Sequence, residues 1–537
     1  LLKFKLTDDL RFISLVDFDL NSERNDLFNF FKRKSKKGDF NPLVDRGIWD
    51  GKDKFITKEG RIAVGLWKEV YNCANRYGYD CEIDGIDALL NLNLPRERYL
   101  EYVNKLLDGV LDEHGNLIKP RDYQIEGAYR AIKYKFCTQE LATSAGKTLI
   151  FYIFNSFLRD GRKIDSSKKS LIIVPNISLV GQTAEKFELY SVGKRQWKVC
   201  TIGGEDKFDQ KRFDESEVVV STYQSLQNWQ PSMFQSFHTV CVDEVHKSRG
   251  NVIRNILLSC VNWTYRLGLS GTVKIDEQYS DFFRVQENVG PLVMVLSAKH
   301  LIDNGYSPNI KIKAVGLKYD RKSQYLQKYW ALKKDGKAMY NSAKDYGRDM
   351  LNIERGFIFE SKERLDFIDS LTRKLSKNTL ILFSDVKNGY GKKIQQKLFE
   401  WNPNTFYIDG EVDSSDRDRF KDIMESNNDV IIVASFGTFS TGIDLKNVHH
   451  IVFAESTKAE VTIRQSIGRG MRKLAEKNKV IIWDLIDLLD GYMEKHAKIR
   501  EEIYHEQEFE VAKIEVDLTK LNSKESVEVC AQESPHN

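Results

Sequence analysis

Short β-branched apolar runs recur through most of this chain, each separated from the next by a stretch long enough for a helix. SLIIV, EVVVS, HTVCV and YRLGL end at Val174, Ser221, Val242 and Leu269. A second series, TLILF, TFYI, DVIIVA, HHIVFA and KVIIWDL, ends at Phe383, Ile408, Ala434, Ala454 and Leu485. Continuous apolar runs of this length suit parallel strands covered on both faces, whereas half-exposed strands alternate. Such alternation of strand and helix predicts two α/β lobes in tandem, spanning 121–310 and 311–490. Ahead of them, residues 1–85 mix alternating runs such as LKFKL with the helix-like VGLWKEVYNCANRYGY and read as a small α+β module. Residues 86–120 read as a helix and a turn-rich linker ending at Pro120, and 491–537 as a C-terminal helix and polar tail. The Lys- and Tyr-rich stretch from Tyr319 to Met350 reads as a helical insertion.

Composition narrows the class. No apolar run is long enough to span a bilayer, and LLKFKLTDDLRF lacks the apolar core of a secretory signal, so a cytoplasmic, non-membrane protein is expected. The seven cysteines and nine histidines show no ligand spacing, and no zinc is predicted. A net charge of only +4 means that any nucleic-acid footprint must come from local clusters.

LATSAGKTLI carries the sharpest local chemistry. In a phosphate-binding loop, the backbone from Thr143 through Ser144, Ala145 and Gly146 wraps a nucleotide's phosphates at a helix N-terminus. Lys147 then supplies a point charge and Thr148 a magnesium ligand. Leu141 stands where the usual motif has its first glycine. Downstream, HTVCVDEVHKS delivers Asp243 and Glu244 directly after an apolar run, where strand ends of open α/β sheets reach a ligand crevice. Asp243 is suited to magnesium, and Glu244 to orienting and deprotonating a water. An isolated acidic pair is more often a helix start, but a helix start does not predict an upstream phosphate loop.

With Asp-Glu-Val-His in place the chain resembles the superfamily 2 DExH helicases, and the ordered motifs of that family follow over residues 121 to about 490. RDYQ, with Arg121, Tyr123 and Gln124, is similar to the family's adenine-reading segment. Pro175, Asn176 and Gln182, then Ser221 and Thr222, match its nucleic-acid-contacting motifs, and His246, Ser270, Gly271 and Thr272 match the residues that couple ATP state to grip. In the second lobe, Gly442 and Asp444 resemble residues lining the nucleotide cleft, and Ser435 and Thr438 residues facing the backbone. QSIGRGMRK supplies Gln465, Arg469 and Arg472, the last two resembling arginine fingers. GRxxR alone is usually a solvated basic face; its place after the glycine-aspartate motif favours the finger.

The TSAGK, FSTGI and QxIGRxxRK versions, with Ser144 and Ser466 at positions often glycine and arginine, depart from the DEAD-box pattern and resemble the phage UvsW-like group. FNPLVDRGIWDGKDKFI is similar to the small domain that precedes the motor there. Within that module, Lys32, Arg33, Lys34, Lys36 and Lys37 form a loop-like basic stretch suited to phosphates, and Trp49 either stacks on a base or fills a core. The resemblance implies two RecA-like lobes behind a small α+β domain, ATP and Mg2+, and a monomeric DNA helicase or translocase. Its implied substrates are forks, Holliday junctions, D-loops and R-loops in recombination, repair and replication, with RNA–DNA hybrids and single-strand-binding or recombination proteins as further candidate partners in a host cytoplasm. An XPB-like duplex translocase, a junction-binding or annealing protein with a vestigial ATPase, and a restriction-system motor subunit are the competing readings.

Overall fold

Both series of apolar runs form strands in a computed structural model. It describes residues 1–520 except positions 37, 39–40, 92, 114, 162–167, 205–207, 274–278, 321, 341–342, 443–444, 446, 456, 458–459 and 471–477. The chain divides into two units, Leu1–Leu296 and Ser297–Asn537.

The first unit opens with β1 (Leu2–Leu6), β2 (Phe12–Asp17), β3 (Lys32–Lys34), β4 (Lys52–Lys54), β5 (Arg61–Ala63) and β6 (Cys81–Asp84). Four of these make a mixed sheet in the order β5-β2-β1-β6, and β3 and β4 form a separate antiparallel hairpin. The basic stretch expected as a loop is therefore partly a strand, with Lys32, Arg33 and Lys34 opposite Lys54, Asp53 and Lys52. The module shares one apolar core with the lobe that follows. Phe31 and Phe55 pack on Phe283 at centroid distances of 5.8 and 5.3 Å. Gly65 lies so close to the helix Ser280–Asn288 that a Cβ would fall 2.1 Å from the Gln286 carbonyl oxygen, a separation no side chain tolerates.

The lobe itself is a seven-stranded, all-parallel sheet. Its members are β7 (Phe136–Leu141), β8 (Lys169–Val174), β9 (Val199–Ile202), β10 (Val218–Thr222), β11 (Phe237–Asp243), β12 (Tyr265–Ser270) and β13 (Leu292–Leu296). They run in the order β13-β7-β12-β11-β8-β10-β9. β7 is wholly buried yet carries Thr138, Gln139 and Glu140. Each polar side chain finds a backbone partner, as buried groups must: Thr138 donates to the Gly290 carbonyl, Gln139 to that of Gly127, and Glu140 accepts from the Val273 N–H.

The second unit repeats the plan with β14 (Asn309–Lys318), β15 (Thr379–Phe383), β16 (Thr405–Ile408), β17 (Ile431–Ser435), β18 (His450–Phe453), β19 (Lys479–Asp487) and β20 (Glu510–Asp517). These strands are all parallel, in the order β16-β17-β15-β18-β19-β14-β20. The C-terminal region thus contains, beyond its helix Tyr492–Glu506, a strand that extends this sheet and that a helix-and-tail reading omits. Two tandem RecA-like lobes behind a small N-terminal α/β region are the architecture of the chain.

Candidate nucleotide site and nucleic-acid interface

Strand order assembles the site in the first unit. β12 lies between β7 and β11, so the loop after β7, the acidic pair at the end of β11 and Ser270 at the end of β12 meet at one edge of the sheet. The loop turns through left-handed backbone at Ser144 (φ +70°) and Gly146 (φ +73°) before the helix Lys147–Gly161 begins. Gln124 fastens it from below, donating to the Ala145 carbonyl at 2.8 Å while its Oε1 accepts from the Arg121 N–H at 2.9 Å. The Tyr123 hydroxyl donates to the same Ala145 oxygen, and the Arg121 guanidinium donates to that hydroxyl at 2.7 Å. The RDYQ segment thus braces the phosphate loop directly.

Lys147 Nζ lies 2.9 Å from Glu244 Oε1 and 3.4 Å from Asp243 Oδ1. Burial opposes the ammonium, yet the two carboxylates outweigh it and hold Lys147 above its usual range. Burial likewise disfavours both carboxylates; Lys147 and His246 nevertheless keep Glu244 well below the ordinary value, and Asp243 lies above its own. The Ser270 hydroxyl donates to Glu244 Oε2 at 3.0 Å. Since that uses the serine's one proton, Nδ1 of His246, 2.8 Å from Ser270 Oγ, is the donor toward it. Thr272 closes the network, its Oγ1 3.2 Å from His246 Nδ1 and its N–H donating to Ser270. Gly271 backs onto the Thr143 side chain of the phosphate loop. Glu140, on a strand that the sequence does not advertise, holds the turn after Thr272 through the Val273 N–H.

Other candidates are placed differently. Asn176 caps the helix Ile177–Tyr190, its side chain accepting from the Leu179 N–H; Pro175 is half-buried and Gln182 exposed beside it. Ser221 and Thr222 are buried, Ser221 donating to the Ile202 carbonyl and Thr222 capping the turn at Ser225. Ser435 and Thr438 are also buried and hydrogen-bonded to each other at 2.8 Å. Arg33, expected at phosphates, instead lies between the Phe30 and Phe283 rings, 4.3 Å from each centroid. Lys32 pairs with Asp50, while Lys34 and Lys36 are exposed, the latter over Tyr279. Trp49 is half-buried outside the core, and it donates from Nε1 to the Lys52 carbonyl. Gly442 ends the helix Phe436–Gly442, and Gln465 and Arg469 lie on the helix Glu460–Gly470 with Gln465 half-buried. Lys37, Asp444, Arg472 and the side chain of Arg469 fall outside the described residues.

Comparison with known proteins agrees with this layout. The family described as "Type III restriction enzyme, res subunit" matches residues 117–275, and the helicase conserved C-terminal domain matches residues 363–473. The chain belongs to the superfamily 2 helicases, ATP-hydrolysing motors that work on nucleic acid. Over 490 residues it is 28% identical to the ATP-dependent DNA helicase UvsW of Enterobacteria phage T4, the alignment covering 90% of each chain. The crystal structure of T4 UvsW aligns with 96% of this chain and 99% of its own at 25% identity and a TM-score of 0.47. The helicase MrfA, solved bound to DNA, shares the fold at 15% identity and a TM-score of 0.51, over 76% of this chain and 51% of its own.

Proposed function

We propose that this chain is an ATP-driven DNA motor that unwinds or branch-migrates forks, Holliday junctions, D-loops and R-loops in phage-type recombination, repair and replication. One observation carries the reading: the likeness to an ATP-dependent DNA helicase runs over nine-tenths of both chains. Phosphates entering the loop take over Lys147 from the carboxylates it now neutralises. Glu244, kept ionised and aimed by Ser270 and His246, then orients the attacking water and takes its proton. By their match to the family's motifs, we assign Gln465, Arg469 and Arg472 to the γ-phosphate and Gly442 and Asp444 to the nucleotide. Loss of the phosphate after hydrolysis releases that hold, so each turnover shifts one unit's grip relative to the other's.

The buried Asp243 Oδ1, which among the described residues makes no hydrogen bond and is met only by Lys147 Nζ at 3.4 Å, suits a magnesium ligand beside Thr148 in the first turn of the loop's helix. When bound, the cation supplies charge neutralisation across the phosphates. To a nucleic-acid backbone we assign Asn176 and the exposed Gln182, Lys34 and Lys36.

The test is ATP-dependent processing of matched fork, junction, hybrid-loop and plain duplex substrates by the wild-type chain and by Lys147→Ala. Branched substrates are expected to be resolved, with the variant inactive. ATPase stimulation without strand separation would favour the duplex translocase, and remodelling retained by Lys147→Ala would favour an annealing protein.

A further inference from the structure

Where the N-terminal module meets the first lobe, at the edge of the sheet away from the phosphate loop, a groove of roughly 190 Å³ opens. It is floored in part by Phe136, the first residue of β7, whose last residue leads into the loop; the five rises between them put the two ends about 17 Å apart. Much of the lining is apolar, and Leu258 and Val261 remain 57% and 45% exposed there. Large aliphatic side chains left in water beside a concave surface are a mark of docking.

The charge in the groove is unbalanced. Arg266 is 9% exposed, its guanidinium resting 4.1 Å from the Trp263 ring centroid. It donates from Nη1 to the Asn288 carbonyl and from Nη2 to that of Leu257, while Nε has no partner. Among the described residues no carboxylate pairs with it. Burial draws its pKa down to about 10, and the other charged side chain acting on it, Arg11, is also a cation. Glu287, the one acid in the lining, answers instead to Arg254 and Arg284. Buried guanidinium groups are ordinarily matched by an anion, because leaving one unmatched costs several kcal/mol. Here three arginines, Arg11, Arg254 and Arg266, face one carboxylate.

We propose that this groove docks a short acidic segment of a partner protein, an Asp or Glu carboxylate settling beside Arg11 and Arg266 and a neighbouring aliphatic or aromatic side chain covering Leu258 and Val261. A nucleic-acid backbone matches the charge but leaves the apolar rim in water. A peptide matches both.

The full-length chain is titrated, by fluorescence polarisation, with labelled peptides graded in aspartate content and carrying phenylalanine, leucine or no apolar residue, alongside labelled oligodeoxythymidylate. Micromolar binding is expected only for peptides with both acid and anchor, weakening with salt. Leu258→Asp, Val261→Asp and Arg11→Glu, all at exposed positions, should each reduce affinity about tenfold or more, a change of 1.4 kcal/mol per decade, with basal ATPase unchanged as the control on folding. The proposal is overturned if no peptide of the panel binds, if binding needs charge without an anchor, or if the three variants bind as the wild type does. It is equally overturned if oligodeoxythymidylate displaces the peptide and itself loses affinity on Leu258→Asp.

Discussion

Glu244 adopts left-handed backbone, φ +51° and ψ +53°, a conformation that costs a residue with a Cβ about 1–2 kcal/mol. The strain aims its carboxylate between Lys147 and Ser270. Glu244→Gln preserves shape and the Ser270 contact but removes the proton acceptor, so ATP binding is expected to persist while turnover falls by about 10²–10⁴-fold. Nucleotide titration beside steady-state ATPase measures both, and wild-type turnover would remove Glu244 from its role. At this scale the sequence was informative where chemistry is contiguous: Lys147, Asp243 and Glu244 could each be named from their neighbours. The hydrogen bonds joining Glu244 to Ser270 and His246 could not, because they depend on β12 lying beside β11, and strand order is not written locally. The contact of Arg33 with Phe283 was not legible for a related reason: the basic run reads as suited to phosphates, and only the fold brings Phe283 to its guanidinium.

β19 carries two carboxylates through the core of the second unit. Asp484 receives both edges of Arg500 and the Tyr504 hydroxyl, and Asp487 receives Arg364, with all four ionic side chains buried. Removing one partner strands a charge, so Asp484→Leu alone should destabilise the chain by about 3–5 kcal/mol, whereas joining it to Arg500→Met should recover most of the loss. Denaturant unfolding of the two variants decides, and equal stability would mean that the pair is not the cost.

His450 on the neighbouring β18 is satisfied only when neutral, donating from Nε2 to the Ser376 carbonyl and accepting at Nδ1 from Trp483 Nε1. Burial brings its pKa from 6.5 down to about 4, and His238 in the first unit is lowered to about 4 in the same way. Between these values the unfolded chain binds more protons than the folded one, so stability falls as pH drops from 6.5 toward 4. Melting temperatures across that interval should decline less steeply for His450→Gln than for the wild type; an identical slope would exclude the histidine.

Elements buried on both faces were readable from their apolar runs. β7 was not, since its polar side chains are satisfied by backbone, and neither was β20, an edge strand whose half-exposed residues alternate with charge.

For the molecule as a whole, the proposed cycle needs both units, and its prediction separates them. Arg469→Ala and Arg472→Ala should leave nucleotide affinity, supplied by the first unit, within a few-fold while cutting turnover by about 10³-fold or more, the scale on which a finger arginine acts. Unchanged hydrolysis in both variants would break the link between the units that the mechanism requires. The two-lobe plan itself was plain from the repeated series of runs, but the seam between lobe and N-terminal module was not, because contacts such as Gly65 against Gln286 join residues far apart in sequence.

The placement of β14 has a consequence for biosynthesis. Its neighbours are β19 and β20, so Asn309 waits for Lys479, about 170 residues later. At translation rates of roughly 5–20 residues per second, this ten-residue strand emerges with both edges bare for on the order of ten to thirty seconds. During that interval the nascent second unit must be shielded, by a chaperone or by helices already folded onto it, and interruption of synthesis before residue 479 would yield a product prone to self-association.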